Sequence, residues 1–225
     1  MKSTTKKSRV LIVDDHPLIR EGMSAMLSRQ DDLIMCCEAS DADSAISQIE
    51  KLNPDLVILD MSLKCGTGLD VIKQLRSSKN GSSHRTTPIL VHSMYEDSLY
   101  AERVLQAGAM GYVNKQESAE TVLSAIRRVL SGKVYLSPEL TQRLLDRSVG
   151  QTTQPYSAVV DRLTDRELEI FHLIGEAIST GAIAERLIVS VNTIETHRQN
   201  IKKKLGIKNA AELSQRAVQW VLENG

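Results

Sequence analysis

The sequence predicts two folds in series: an α/β doubly wound five-stranded parallel sheet, then an all-α four-helix domain that carries a helix-turn-helix. Three observations predict this. Apolar, β-branched runs of about 4 or 5 residues recur through the first half, which is the length and composition of a strand buried on both faces. Amphipathic helical stretches separate these runs, and right-handed strand–helix–strand crossovers build a parallel sheet. From Leu163 onward the pattern is helical only, with two helices joined by a tight turn.

Strands are expected near 9–13, 33–38, 55–59, 88–92 and 111–113, with helices near 16–29, 41–52, 66–78, 97–107 and 118–131. Pro17 suits a first helical position, where its missing N–H is no loss. The polar stretch Ser77–Thr87, containing Lys79-Asn80-Gly81-Ser82-Ser83, is long for a connection and is expected as an exposed loop away from the strands' carboxyl ends. Gly132 ends the fifth helix. Ser137-Pro138-Glu139 then signals a short helix near 138–147. The breaker-rich tract Gly150–Pro155 reads as a linker. The resulting division is residues 1–131, a linking region with a short helix over 132–160, and residues 161–225.

In the last region Thr164-Asp165-Arg166-Glu167 is a capping box that opens a helix to about Glu176. Ser179 caps a short helix to Leu187, and Ile188-Val189 make a tight turn. Ser190 caps a longer helix, Val191 to Leu205, that Gly206 stops. A last helix spans about Ala210 to Leu222.

Composition bounds the function classes. With 225 residues, 41% hydrophobic and only 3% aromatic, aliphatic side chains must fill the cores. Formal net charge is +0, so any nucleic-acid surface must be local. No apolar stretch approaches the roughly 18 residues of a membrane span. The lysines of Met1–Arg9 are followed by four apolar residues and then two aspartates, too short for a signal peptide. Cytoplasmic residence without a membrane partner is expected. Cys36, Cys37 and Cys65 lack metal-ligand spacing and read as reduced thiols, with Cys36 and Cys37 pointing to opposite faces of a strand.

Five polar residues fall at the ends of the predicted strands. Asp14 and Asp15 follow Val10–Val13, Asp60 follows Leu56–Leu59, Ser93 lies past Ile89–His92, and Lys115 lies past Gly111–Asn114. Parallel sheets gather their chemistry at the strands' carboxyl ends, so one cleft should hold three carboxylates, a hydroxyl and an ammonium. Crowded carboxylates call for a cation, and Mg2+ favours oxygen ligands. A carboxylate can attack phosphorus to give an acyl phosphate, and phosphoryl transfer needs mainly positioning and charge cancellation. Asp60 is therefore expected as phosphoryl acceptor, Asp14 and Asp15 as metal-binding acids, Lys115 as counter-charge and Ser93 as a donor to a phosphoryl oxygen. The competing reading of Asp14-Asp15 is a turn or helix cap ahead of Pro17.

The segment from about Arg9 to Ser131 resembles a CheY-like receiver domain of a two-component response regulator. The residues that carry the resemblance are Val13-Asp14-Asp15-His16-Pro17, Ile58-Leu59-Asp60-Met61-Ser62-Leu63, Val91-His92-Ser93-Met94 and Gly108–Lys115. The resemblance implies that Asp60 takes a phosphoryl group from a sensor histidine kinase. It implies that the Ser62 backbone carbonyl joins Asp14, Asp15 and Asp60 around Mg2+, and that Ser93 and Tyr112 form a switch pair. The sequence departs from the family at Lys64, where proline is usual, in the absence of an acid near Thr67, and at Met94, where a smaller residue is common.

In the long helix of the last region, Val191, Ile194, Ile201 and Leu205 share one face, expected as core. Asn192, Glu195, Thr196, Gln199 and Lys203 project elsewhere, and Arg198, Lys202, Lys203, Lys204 and Lys208 form a basic cluster without an acid from Thr196 to Lys208. Such a cluster can contact phosphates while polar groups early in the helix read bases. A solvated helix end favoured by the helix dipole is the plainer account. Leu163–Glu167, Ile183–Leu187 and Ser190–Ile201 resemble the LuxR-type DNA-binding domain, and both halves together resemble LuxR/NarL-type response regulators. That resemblance implies a DNA-binding transcription factor, not an enzyme beyond its own aspartyl phosphorylation and dephosphorylation. It implies homodimerisation on activation and contact with RNA polymerase. DNA contacts are expected from Asn192, Thr193, Glu195, Thr196, Arg198, Gln199, Lys202 and Lys203. Gly181 and Ala182 stand where Lys-Glu is common, and Glu195 where lysine is common. Two other readings stay open from the sequence: an aspartyl-nucleophile phosphatase, and a protein-binding regulator that no longer grips DNA.

Overall fold

Five strands lie side by side, all parallel, in the order β2-β1-β3-β4-β5. They are β1 (Ser8–Val13), β2 (Leu33–Ala39), β3 (Leu56–Leu59), β4 (Ile89–Ser93) and β5 (Gly111–Asn114). Five helices alternate with them: α1 (Pro17–Ser28), α2 (Ala42–Leu52), α3 (Gly68–Ser77), α4 (Ser98–Gln106) and α5 (Ala119–Leu130). The computed structural model describes residues 6–63, 67–77, 86–94, 98–149, 160 and 162–224. The loop residues Lys64, Cys65 and Gly66, the tract Lys79–Ser83 and the linker Gly150–Pro155 lie outside the described residues.

The strands of the middle are fully buried because both faces are covered. One face joins Val10, Ile12, Leu33, Leu56, Ile58, Leu90 and Val113 to Met23 and Leu27 of α1 and Val122, Ala125, Ile126 and Val129 of α5. The alternate residues Leu11, Val57, Leu59, Ile89 and Val91 are equally buried and face the other way. Each helix begins where local chemistry directs. Asp41 caps α2 through the Ser44 N–H, Ser118 caps α5 through the Thr121 N–H, and Pro17 opens α1. The N-cap of α1 is His16, whose side chain makes no capping bond, so neither Asp14 nor Asp15 is the cap. Asp14 instead accepts the His16 backbone N–H at 2.9 Å, a turn on its own side chain.

Strand β2 departs from the expected alternation. Val10 pairs with Met35, but Leu11 pairs with Cys37, so Cys36 is an unopposed bulge residue. Leu33 and Met35 pack into the core shared with α1, and the next paired residue, Cys37, sits opposite Leu11 of the other face. The bulge turns the strand over and swings the two thiols together, with the sulfurs 3.3 Å apart. The expectation that they point to opposite faces is thus corrected: the period of two holds only for an unbroken ladder.

The chain divides into two compact units, residues 1–95 with 100–141, and residues 142–225 with 96–99. Helix α6 (Pro138–Ser148) follows the sheet, with the Ser137 hydroxyl accepting the Leu140 N–H at 3.1 Å. Four further helices complete the chain: α7 (Asp165–Gly175), α8 (Thr180–Arg186), α9 (Val191–Leu205) and α10 (Ala210–Asn224). Both halves of the Thr164–Glu167 capping box form at α7. Ser179 and Ser190 cap α8 and α9, and Gly206 closes α9 at φ 66°. Phe171, Ile183, Ile194, Ile201, Leu213 and Ala217 are buried, and the Trp220 ring lies 5.6 Å from that of Phe171. Val191 departs from expectation: it is 50% exposed. It is the first residue of α9, and the apolar face is covered only from Ile194 onward.

Two glycines in this unit sit in opposite circumstances. A Cβ on Gly175 would meet Val221 and lie 2.5 Å from the Ala217 carbonyl, so α7 and α10 cross at glycine contact. A Cβ on Gly181 would meet nothing within 4 Å. Gly175→Ala should therefore cost about 1–3 kcal/mol through overpacking. Gly181→Ala should stabilise by about 0.5–1 kcal/mol through helix propensity. Urea unfolding followed by the fluorescence of Trp220, the single tryptophan, checks both.

Candidate functional site

Strand register builds the acidic end of the sheet. Val13 lies opposite Leu59, and the Asp60 N–H donates to the Val13 carbonyl at 2.8 Å, so Asp14 and Asp60 emerge side by side. Ser93 lies opposite Asn114, and the Lys115 N–H donates to the Ser93 carbonyl at 2.8 Å. Lys115 Nζ then sits 2.7 Å from Asp14 Oδ2 and 2.7 Å from Asp60 Oδ2. Ligand atoms of Asp14, Asp15, His16 and Asp60 all fall within 4.8 Å of one another. Residues far apart in sequence thus form one cluster: β3 finishes beside β1, and the long Lys115 side chain, just past the end of β5, reaches back across the ends of β4 and β3.

The electrostatics follow from burial. Asp60 is 3% exposed, and desolvation, reinforced by Asp14 and only partly relieved by Lys115, pushes its pKa up to about 6 from the usual 3.8. Burial opposes the charge on Lys115, yet Asp60 and Asp14 outweigh it and hold the ammonium's pKa above its ordinary value. His92, buried beside this edge, is pushed down to about 4 by desolvation and by Lys115, so it is neutral at physiological pH and adds no second cation. His16 Nδ1 lies 2.7 Å from Asp15 Oδ1, but without hydrogen-bond alignment, so that buried oxygen has no donor. An undonated carboxylate oxygen beside two more carboxylates, with the exposed His16 ring nitrogen next to them, is a mainly hard oxygen donor set, which suits Mg2+.

Ser93 is fully buried and Tyr112 is 3% exposed on β5, opposite Val91. Ser62 donates its N–H to Asp60 Oδ1 at 3.3 Å. Gly68 is a site residue that sequence reasoning missed. Its N–H donates to the Met61 carbonyl at 2.9 Å, and a Cβ on it would run into the Asp60 carbonyl oxygen. Its signal in the sequence is glycine at the start of the helix after Asp60, where only close backbone approach explains it.

In the helical unit, Asn192, Glu195, Thr196, Gln199 and Lys203 are exposed on α9, while Thr193, Arg198 and Lys202 are half-buried. The Thr193 hydroxyl is 2.8 Å from that of Ser190. Arg198 pairs with Glu195 at 3.6 Å, so Glu195 and Arg198 neutralise one another. Lys204 leaves the expected basic cluster: its Nζ lies on Glu167 Oε2 at 2.6 Å, tying α9 to α7. Burial opposes the Glu167 carboxylate, but Lys204 and the Thr164 N–H outweigh it and hold its pKa below the ordinary range. Arg166 bonds Glu169 at 2.7 Å and the Leu187 carbonyl at 3.0 Å, fixing the end of α8.

Comparison with known proteins agrees with both units. Residues 10–127 match the family model described as response regulator receiver domain, and residues 161–217 match that of bacterial regulatory proteins, luxR family. The oxygen regulatory protein NreC of Staphylococcus carnosus is 36% identical over 214 residues, covering 93% of this chain and 96% of that protein. A structure of the Salmonella typhimurium RcsB response regulator is 26% identical, with a TM-score of 0.56, covering 94% of this chain and 98% of that one. A structure of two RcsB dimers bound to two parallel DNAs is 27% identical, with a TM-score of 0.55 and coverage of 93% and 97%. A receiver sheet ending in this acid cluster, followed by a helix-turn-helix unit, defines a two-component response regulator. The chain belongs to the LuxR family of these regulators, and so is a DNA-binding regulator of transcription. The phosphatase reading is overturned by these matches, as is the reading of a regulator without DNA binding. Among the described residues no helix is long and apolar enough to cross a membrane.

Because folding raises the Asp60 pKa, the folded state favours its protonated form. The penalty is absent below about pH 4, grows as pH rises to about 6 and is complete above. Asp60→Asn should therefore stabilise the metal-free protein at pH 7.5 by roughly 1–3 kcal/mol. The gain should shrink as pH falls toward 5, and millimolar Mg2+ should narrow it by stabilising the wild type. Thermal unfolding followed by circular dichroism at the two pH values reads this. Gly68→Ala should destabilise by about 1–3 kcal/mol in the same assay, since backbone must move.

Proposed function

We propose that this chain is a phosphorylation-switched transcription factor in which Asp60 is the phosphoacceptor. The observation that carries the reading is Lys115 Nζ at 2.7 Å from both Asp14 and Asp60, beside the undonated oxygen of Asp15. An Asp60 carboxylate oxygen attacks the phosphorus of a sensor histidine kinase's phosphohistidine. The P–N bond breaks and the imidazole leaves with the electron pair. Asp14, Asp15, Asp60 and the Ser62 carbonyl would hold Mg2+, which would supply charge cancellation on the phosphoryl oxygens. Lys115 moves from the Asp60 carboxylate to a phosphoryl oxygen, and the Ser93 hydroxyl donates to another.

Phosphorylation adds roughly two negative charges to a buried site. Ser93 and Tyr112 re-form around them, which shifts a pre-existing equilibrium toward a dimer-competent receiver. Paired helical units then engage neighbouring DNA half-sites. Lys202 and Lys203 meet phosphates, while Asn192, Thr193, Glu195, Thr196, Arg198 and Gln199 face the bases and backbone. RNA polymerase is the further partner such a bound dimer would meet, in the cytoplasm. The domain limits proposed are 1–131 and 161–225, joined by 132–160.

Labelling by acetyl phosphate with Mg2+ should modify the wild type and fail with Asp60→Ala; labelling of both would remove Asp60 from the role. Lys115→Ala should still label, but its size by light scattering should stay monomeric. Lys202→Glu with Lys203→Glu should weaken gel-shift binding uniformly across DNA sequences and lower the dependence on salt by about one counterion per lysine.

A further inference from the structure

The bulge in β2 leaves two adjacent half-buried thiols facing one another at 3.3 Å. In an unbroken strand neighbouring side chains point apart, so this meeting is made by the unopposed residue at Cys36. β2 is an edge strand, paired only to β1, and both thiols keep partial exposure there. We propose that Cys36 and Cys37 form a reversible oxidation site that closes to a vicinal disulfide on reaction with a peroxide.

The reaction is a two-electron oxidation. The Cys36 sulfur, as thiolate, attacks a peroxide oxygen; the O–O bond breaks and the departing hydroxide takes the released thiol proton as water. A sulfenic acid stands on Cys36. The Cys37 sulfur then attacks the Cys36 sulfur, the S–O bond breaks, and the leaving hydroxide takes the Cys37 proton. Two thiols are oxidised to one disulfide, and one peroxide is reduced to two waters. Burial and the Cys36 contact push the Cys37 thiol up to about 12, so its proton is lost only as the S–S bond forms. Adjacent residues have Cα atoms about 3.8 Å apart, shorter than the roughly 4.4–6.8 Å of an ordinary disulfide. The closed ring is therefore strained and readily reduced, so it forms under oxidant and reopens with thiol reductants.

The test uses the full chain with Cys65→Ser, which leaves Cys36 and Cys37 as its thiols. It is treated with hydrogen peroxide, quenched, alkylated with iodoacetamide and weighed intact. The expected product is a monomer lighter by two hydrogens that takes no alkyl group, and that takes two after dithiothreitol. A product gaining oxygen on each sulfur, one linked between chains, or one still taking two alkyl groups would overturn the proposal. Cys36→Ser in the same background should keep its mass and take one alkyl group after denaturation; loss of two hydrogens there would equally overturn the proposal.

Discussion

One ammonium between two carboxylates holds the working end of the first unit together. Lys115 reaches Asp14 and Asp60 at 2.7 Å each while almost wholly out of water. Without it, two buried acids would repel one another and each would bear an uncompensated desolvation penalty. With it, Asp60 still carries a pKa near 6, so one cation only partly cancels the acids' mutual cost. The site is thus short of positive charge, with three carboxylates set against one ammonium.

The sheet makes this arrangement possible. In a parallel sheet every strand delivers its carboxyl end to the same edge, so residues distant in sequence meet there without a long loop. Register does the rest, since Val13 faces Leu59 and the acids step off the sheet together. The backbone is drawn equally close, because Gly68 lies against the Asp60 carbonyl with no room for a side chain. Asp60 is thereby fixed from its own strand, from the returning loop and from Lys115.

How much of this could be read in advance depends on range. The ten helices and five strands among the described residues begin and end within about two residues of where apolar period and capping residues put them. Asp14, Asp15, Asp60 and Lys115 were legible as a cluster because a parallel topology leaves them one place to meet. The bulge at Cys36 was not, because nothing local marks it: the segment Leu33–Ala39 is uniformly strand-like, and only pairing with β1 reveals the extra residue. Val191 read as core because helical period says which face a residue takes but not how far along the helix its cover extends. Lys204 read as part of a basic run because its partner, Glu167, lies 37 positions away.

The second unit applies the same electrostatic logic to the opposite end. It holds nine basic and nine acidic residues over 161–225, a balance that at first argues against gripping a polyanion. The pairing pattern removes that objection. Glu167 takes Lys204, Glu169 takes Arg166, Glu195 takes Arg198 and Glu212 takes Arg216, all within the unit. The first two of these acids are buried and serve to lock helices together. Among the described residues, Lys202, Lys203 and Lys208 have no carboxylate within ion-pair distance. Net charge of zero therefore conceals an uneven pairing: Glu167 and Glu169 are engaged inside the unit, while Lys202 and Lys203 at the end of α9, and Lys208 just past it, have no carboxylate partner among the described residues. Screening confines the force of exposed charges to about 8–10 Å, so it is this local pairing, not the sum over the unit, that sets the potential at the end of α9.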